Sequence, residues 1–441
     1  MNVPGLLSSV AAPAGGGVTL RRLAPWLIAA AVVIVLPWLF YNGTTGRHSS
    51  FVIVLLSEIA LMTIFALSYN MQMGQAGLLS FGHAVLFGLG AYCTAHALNA
   101  VKAGSFWLPA ELVPLIGGLG GLGFGIVLGY LATQQRATAF AMITLGLGEL
   151  VAAAALMFMI FFGGEGGITT DRVIDVSLLG LSYTKPLQLY YLVGAWLLIA
   201  VILMRLLTQT PLGRLANASR DNFERAQFVG YDPRMIRFYQ FALSGFFAGI
   251  AGGLYTMVYE IVTFDTVAAV KSSTALLSVY IGGAASFFGP VVGTVVVVLL
   301  QSWVSLLSNA WHLYVGVLFI IMVMFAPGGI MGLIGQHAPI ARLGRLRELV
   351  VPYVTVLVPG LVALVGFIAL VELVSLFTIG TAQGKRIMLG SYRVDPTTSL
   401  PWVVASATLL GGNLWLRLAA RGFRQRWDNL IDAAKARGIE T

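Results

Sequence analysis

The sequence predicts an all-α protein, a polytopic transmembrane helical bundle of about 10 to 12 membrane segments. Hydrophobic residues make up 58% of the 441 residues and charged residues only 10%. Apolar runs of near-spanning length recur along the chain, and most of the 26 Lys and Arg residues fall in the short stretches between them. This excess of basic residues therefore indicates orientation in a bilayer, not nucleic-acid binding. No polar segment is long enough to bury the core of a soluble catalytic domain.

A spanning helix needs about twenty mainly apolar residues. Two short segments, 272–288 and 289–308, are joined by Phe288-Gly289-Pro290 and form either two spans or a re-entrant pair. Residues 1–24 are rich in Gly, Ala and Ser, which predicts a disordered cytoplasmic N-terminus. The predicted membrane segments are 25–41, 51–69, 76–99, 112–133, 138–162, 187–207, 237–259, 272–288, 289–308, 313–333, 350–378 and 399–418.

Basic residues give the predicted orientation. With Arg21 and Arg22 inside, alternation of the segments places Lys102 and Lys185 outside. The same count puts Lys385, Arg386 and Arg393 outside, which is a mild violation of the positive-inside rule. The basic positions that fall inside are Arg136, the 208–236 loop, Arg342, Arg345, Arg347, Arg417, Arg421, Arg424 and Arg426.

Residues 210–237 form the longest strongly polar stretch. Thr210 suits a helix N-cap and Pro211 the first turn, while Gly230 indicates a helix end. Asp232-Pro233 then predicts the start of a second short helix. Two short helices outside the bilayer would serve either as a solvated connection or as a docking element for a cytoplasmic protein.

Two hydrophobic runs, 74–92 and 281–293, are interrupted by glycines. Gln75, Ser80 and His83 add polar groups to the first run, and Gly282-Gly283 begins the break in the second. Paired Gly-interrupted segments, one in each half of a chain, are typical of translocation paths in transporters. The same pattern also suits an internal repeat, or tight helix packing alone.

Glu58, Glu149 and Glu260 lie in or at the ends of apolar segments, with Glu149 the most central. Intramembrane acidic residues usually face a bundle interior or a wet cavity, so Glu149 is either part of a path or an interhelical contact. We expect no intramembrane Lys, Arg or Asp that completes a proton relay, which argues against an ion-coupled carrier.

Glycine-rich stretches at 117–125 and 163–171 do not predict a nucleotide site, because no strand precedes them and the first is apolar. The single cysteine, Cys93, is expected to be a small core residue. We expect no catalytic residue, no metal site and no cofactor in this chain. If ATP drives transport, another chain hydrolyses it.

Six blocks resemble the LivM-type permease subunit of branched-chain amino acid ABC importers. Glu224, Ala226 and Gly230 match the E-A-A-x-x-x-G core of that family's coupling loop, although Arg225 replaces the second alanine and the I-x-L-P tail is absent. The blocks occur in family order, and they are GQAGLLSFGHAVLFGLGAY at 74–92, RATAFAMITLGLGELV at 136–151, GGEGGIT at 163–169, TPLGRLANASRDNFERAQFVGYDP at 210–233, GGAASFFGPVVG at 282–293 and APGGIMGL at 326–333.

The resemblance implies a permease domain over 25–335, in a multi-pass protein of the bacterial inner membrane. It implies a second permease subunit, two cytoplasmic ATP-binding subunits and a periplasmic binding protein that delivers a branched-chain amino acid or a related small solute. The implied ATPase-coupling residues are Pro211, Gly213, Arg214, Arg220, Glu224, Ala226 and Gly230. The alternative is an ATP-independent facilitator or secondary transporter of a small solute such as urea or an amide.

Residues 336–441 lie beyond the resemblance. They are expected to form an extension with an extra transmembrane hairpin, 350–378 and 399–418, and a basic cytoplasmic tail.

Overall fold

The computed structural model describes residues 20–42, 47–105, 107–174, 176–308, 310–380, 387–389, 392–394 and 397–437. Residues 1–19, predicted to be disordered, and Lys385 and Arg386 lie outside this part of the chain. The helices are α1 Leu20–Val35, α2 Ser50–Asn70, α3 His83–Lys102, α4 Val113–Ala132, α5 Ala137–Met157, α6 Met159–Phe162, α7 Pro186–Gln209, α8 Pro211–Asp221, α9 Phe223–Phe228, α10 Pro233–Tyr259, α11 Ala269–Gly282, α12 Gly289–Leu307, α13 Trp311–Phe325, α14 Gly329–Gln336, α15 Ala338–Arg342, α16 Val350–Ser375 and α17 Ser399–Ala436.

Strands are short and form three antiparallel pairs. They are β1 Tyr41–Asn42 with β2 Arg47–His48, β3 Ile168–Thr169 with β4 Ile261–Val262, and β5 Ile387–Leu389 with β6 Tyr392–Val394. In the second pair, Ile168 lies opposite Val262 and ties the connection after α6 to the one after α10.

Among the described residues, nine helices are long and apolar enough to cross a membrane, and α13 with α14 and α15 makes a tenth span bent by 42°. The predicted polytopic bundle is confirmed. Two predicted segments are shorter than a span. The first is an apolar helix, Trp26–Phe40. The second, α11, has 14 residues and is about 21 Å long at 1.5 Å per residue, below the roughly 30 Å of a hydrocarbon core.

The predicted boundary between the second and third segments is wrong. Helix α2 continues through a π-helical turn, Met71–Gln75, and the helix α3 begins only at His83 instead of residue 76. Gly77 has a φ of +68°, a left-handed conformation that ends a helix, so residues 76–82 leave the helical path.

Close helix packing organises the core around α2, α3, α4 and α10. A Cβ added to Gly245 on α10 would lie 2.6 Å from the Gly121 carbonyl oxygen on α4, so only glycine allows the two backbones to approach this closely. The glycine-rich stretch 117–125 is therefore a helix-packing face within α4.

Loop contacts hold the end of the bundle where α10 finishes. Glu260, counted among the intramembrane acids from sequence, caps α10 in the loop and accepts a hydrogen bond from the Arg172 N–H at 3.1 Å. Lys102 pairs with Asp171 at 2.6 Å, and this hydrogen bond holds the pKa of Asp171 below its ordinary value. Glu260 therefore ties the loop and does not line a membrane path.

The extra hairpin consists of α16 and α17, which pack antiparallel. A Cβ at Gly412 would lie 2.6 Å from the Ala363 nitrogen, so the helices touch there through their backbones. Tyr314 on α13 donates a 2.8 Å hydrogen bond to Glu372 on α16 and joins the hairpin to the rest of the bundle. Helix α17 runs unbroken to Ala436, so the basic residues predicted to form a tail belong to a helix that continues the last span.

Candidate functional site

The polar loop between α7 and α10 begins as the sequence predicts. The Thr210 hydroxyl accepts a hydrogen bond from the Gly213 N–H at 3.4 Å, and Pro211 occupies the first turn of α8. Gly213 is buried, and a Cβ there would lie 2.7 Å from the Thr208 Cα. Glycine at this position therefore allows α8 to fold back tightly against the end of α7.

The internal division of the loop differs from the prediction. Its two short helices are α8 and α9, separated at Asn222, whose extended backbone interrupts the helix and whose side chain accepts from the Arg225 N–H at 2.9 Å. Asparagine caps helices well because its side chain replaces a backbone partner. Gly230, with φ of +91°, does mark the stop. Pro233 opens no separate short helix, because α10 continues for 27 residues to Tyr259.

Apolar side chains are exposed where α9 ends. Phe228 is 89% exposed and Val229 69%, and Tyr231 beside them is also exposed. Ala226 faces inward and is buried. Sequence reasoning missed this tip, defined here as Phe228, Val229 and Tyr231, although apolar residues on both sides of a helix-ending glycine in a polar loop were a visible signal. The predicted coupling residues that are also exposed are Pro211, Arg214, Arg220, Glu224 and Gly230.

Phe223 fixes the loop to the bundle. The Arg136 guanidinium lies 3.2 Å from the centre of the Phe223 ring, and that of Arg237 lies 5.4 Å from it. Arg237 also donates to the Gln135 carbonyl at 3.0 Å. Cation–π contacts of this kind hold α9 against the turn between α4 and α5.

Arg220 joins α8 to the interrupted end of α2. Its guanidinium donates to the Gly74 carbonyl, and a Cβ on Gly77 would lie 2.8 Å from the Arg220 Cγ. A Cβ on Gly74 would lie 2.5 Å from the carbonyl oxygen of Ala284, in the break between α11 and α12. We call Gly74, Gly77, Arg220 and Ala284 the glycine junction. Here the polar loop meets both glycine-interrupted runs.

Three predicted path residues, Gln75, Ser80 and His83, are buried next to this junction. The His83 Nε2 lies 2.9 Å from the Ser68 hydroxyl, and its ring stacks on Phe65 with centroids 5.3 Å apart. Gly282 and Gly283 are also buried, at the end of α11. Within the described part of the chain, several buried polar atoms here have no hydrogen-bond partner, namely Asn70 Oδ1, Gln72 Oε1, Ser80 Oγ and His83 Nδ1.

The run that contains these residues contacts other elements through polar groups. The Phe81 N–H donates to the Thr144 hydroxyl on α5 at 3.2 Å, and the Ala84 N–H donates to Ser272 on α11 at 2.8 Å. The run is thus held by side chains from α5 and α11.

Glu149 does not join this group. It lies on α5 and is exposed on a face that no other element of the described chain covers. An acidic group in the middle of a span is costly in lipid, so this face points to a polar surface or to another subunit.

One lysine that the sequence placed in a loop lies in a helix of the bundle. Lys271 lies in the first turn of α11, and its Nζ is 5.0 Å from the centre of the Tyr255 ring and 5.5 Å from that of Phe87. Glu58 on α2 is near enough to interact with it electrostatically. Sequence reasoning placed Lys271 in a loop, because the predicted segment began at residue 272 while α11 begins at Ala269.

A family model described as "Branched-chain amino acid transport system / permease component" matches residues 51–326. The chain belongs to this family. This match spans the polar loop, the glycine junction and both interrupted runs, and it ends before the α16–α17 hairpin. The chain is a multi-pass membrane permease subunit of the ABC importer type.

Curated relatives of this chain are also permease proteins. The chain is 26% identical over 346 residues to the high-affinity branched-chain amino acid transport system permease protein LivM of Escherichia coli, covering 72% of this chain and 77% of that one. The LivM protein of Salmonella typhimurium is 25% identical over 346 residues, which again cover 72% of this chain and 77% of that protein. The fructose import permease protein FruF of Bifidobacterium longum is 26% identical over 332 residues, 68% of this chain and 87% of its own. No solved structure matches the chain.

Proposed function

We propose that this chain is one permease half of an ATP-driven importer for branched-chain amino acids. The family and two LivM relatives support the substrate class. The sugar permease among the relatives shows that this kind of sequence also serves other solutes, so the family alone does not fix the substrate. The chain contributes the path, and separate subunits bind and hydrolyse ATP, so it needs no cofactor or metal of its own.

The observation that carries the proposed mechanism is the hydrogen bond from Arg220 on α8 to the Gly74 carbonyl at the end of α2. A cytoplasmic ATPase subunit would bind the exposed tip of α9 and move α8 and α9 as a unit. Because Arg220 connects α8 to the glycine junction, that motion would reach the two interrupted runs directly. Glycines at the junction allow the backbones to slide without side-chain obstruction.

Buried polar side chains support a path beside the junction. Gln75, Ser80 and His83 cluster there, and polar atoms buried without partners are rare in proteins unless they serve a ligand, water or a second conformation. Gly282 and Gly283 would form the opposite wall. Glu149 would face the second permease subunit across the centre of a heterodimer, which removes the cost of exposing a carboxylate to lipid.

The proposed assembly contains this chain, a second permease subunit, two ATP-binding subunits and a periplasmic binding protein, in the bacterial inner membrane. Residues 25–335 would form the transport domain and 208–236 the coupling loop. The extension at 336–441 would add a hairpin beside α13.

Reconstitution tests the proposal. Replacing Glu224 by Ala or Gly230 by Val should abolish ATP-driven leucine uptake while membrane insertion stays intact. Unchanged uptake in proteoliposomes that contain the complete importer would refute the coupling role of the loop. Leucine uptake by this chain without ATPase subunits would favour a facilitator instead.

Removing the apolar tip provides a second test of the proposed function. Phe228→Ala should weaken binding of the ATPase subunit by about thirtyfold, since a well-buried aromatic contact contributes about 2 kcal/mol to an interface. Leu179→Ala is the matched control, because Leu179 is also an exposed apolar side chain, 70% exposed, in the connection between α6 and α7 at the other end of the bundle. Equal loss in both variants would show that the tip does not dock.

A further inference from the structure

We propose that Glu58 and Lys271 form a binding site for the zwitterionic backbone of an apolar amino acid at the end of the bundle opposite the coupling loop. This inference rests on the proposed function and identifies where the chain itself would select its substrate.

The position follows from the course of the helices. Helix α2 begins at Ser50 and reaches the glycine junction at its far end, so Glu58 lies near the end away from α8. Tyr255 and Tyr259 close α10 at the same end, where α11 begins with Lys271 in its first turn. The site would therefore meet a solute before it reaches the interrupted runs.

Lys271 is a charge without a polar partner. Its ammonium lies between the rings of Tyr255 and Phe87, at 5.0 and 5.5 Å from their centres, and makes no hydrogen bond or ion pair with the described residues. Cation–π contacts hold such a group in place but leave its N–H donors unused. Charged groups inside an apolar bundle are costly, and they usually mark a substrate or ion pathway.

Glu58 supplies the opposite charge nearby. Glu58 is near enough to Tyr259 and Lys271 to interact with both electrostatically, and Tyr259 packs on Tyr255 with ring centroids 4.6 Å apart. None of the ion pairs among the described residues joins Glu58 to Lys271. Two opposite charges that are near each other but not joined in an ion pair match a ligand that carries both signs. The ligand ammonium would bind Glu58 and its carboxylate would bind Lys271.

The start of α11 would also favour the carboxylate of the ligand. Ala268 at the N-cap provides no side-chain bond to the first turn, where the helix dipole favours an anion. Phe87 and Tyr255 are in edge-to-face contact, 5.6 Å between centroids, and present an aromatic surface to an apolar side chain. A sugar has neither charge and would gain nothing from Glu58 or Lys271. The site thus fits a free amino acid.

The single cysteine allows a chemical-rescue experiment on the complete importer in proteoliposomes. In a Cys93→Ser background, Lys271→Cys should lower leucine uptake by about tenfold or more, because a charged hydrogen bond to the substrate is lost. ATP hydrolysis stimulated by the binding protein should stay within about twofold of the parent. Treatment with an ethylammonium methanethiosulfonate should restore uptake by replacing the ammonium group, while the neutral methyl reagent should not.

Lys185→Gln is the matched control, because Lys185 is an exposed lysine in a connection at the same end of the bundle and should not affect uptake. Full uptake by Lys271→Cys, or equal rescue by the neutral reagent, would overturn the inference. If Lys271→Cys does not assemble, Glu58→Gln replaces it in the test. Unchanged leucine uptake by Glu58→Gln would then overturn the inference. A parent complex that shows no ATP-dependent leucine uptake would instead refute the proposed function.

Discussion

At the residue scale, the geometry of the polar loop between α7 and α10 depends on a few side chains and on the absence of others. Arg220 reaches the Gly74 carbonyl only because Gly77 has no Cβ in its way. Phe223 lies between two arginines and keeps α9 close to the bundle. The same residues that make the loop rigid therefore also connect it to the membrane helices.

Gly77→Ala should lower ATP-driven uptake by about tenfold. The left-handed backbone costs a non-glycine residue about 1 kcal/mol, and the new Cβ would lie 2.8 Å from the Arg220 Cγ, which must then move off the junction. Gly104→Ala is the control, because Gly104 has a φ of +72° but no atom within 4 Å of an added Cβ. Uptake normalised to assembled complex measures the difference, and equal losses would mean that only backbone strain matters.

Not every residue of the site could be read from the sequence. Thr210 and Pro211 were predictable, because capping depends on neighbours in the chain. Lys271 was not, because its significance depends on Tyr255, Phe87 and Glu58, which belong to three other helices. Arg220 was named as a coupling residue, but its bond to Gly74 joins positions that are 146 residues apart.

At the element scale, the two short helices of the polar loop are α8 and α9, and not the predicted pair on either side of Gly230. The sequence pattern suggested one helix up to Gly230, because small and apolar residues keep helical spacing across Asn222. Asn222 interrupts it by binding the Arg225 N–H, so α9 turns away and exposes Phe228. A local side-chain bond thus decides the direction of the docking tip.

Asn222→Ala should weaken coupling by removing this cap. Loss of an N-cap costs about 1 kcal/mol, which is large for a helix of six residues. We expect faster proteolysis within 208–236 and reduced uptake, whereas Asn222→Asp should preserve both. Ser49→Ala serves as the control, since Ser49 occupies the N-cap of α2 without a side-chain cap bond. Unaltered proteolysis in Asn222→Ala would show that the break is fixed by other contacts.

The position of the break in the first glycine-interrupted run is also decided at the scale of elements. The π-helical turn at Met71–Gln75 extends α2 past the predicted end, and the non-helical residues 76–82 follow it. Glycine content predicted an interruption but not its position, because Thr144 and Ser272 on other helices hold the run by accepting hydrogen bonds from its backbone N–H groups.

At the scale of the whole molecule, different roles are proposed for the two ends of the bundle. The coupling loop and the glycine junction lie at one end, and Glu58 and Lys271 lie near the other. Helices α2 and α10 run between them, so the proposed selection of substrate and the proposed coupling to ATP are joined by the same helices.

Cysteine labelling tests this arrangement. In a Cys93→Ser background, a cysteine at Phe228 should react only with a thiol reagent that has access to the cytoplasmic side, because the tip must reach an ATPase. A cysteine at Leu179 should react only from the outer side. Both residues are exposed, so access to the reagent and not burial decides the result. Labelling of both positions from the same side would exclude the proposed importer.

The sequence by itself determined that this protein is a helical membrane bundle and where its polar loop begins; it also predicts which side the basic loops face. These properties follow from local hydrophobicity, charge and capping, which each segment carries on its own. The tertiary structure decided which segments meet. It brought Arg220 to Gly74, turned α9 outward, and placed Lys271 near Glu58. Such contacts depend on how distant helices pack, and no spacing within one segment specifies that.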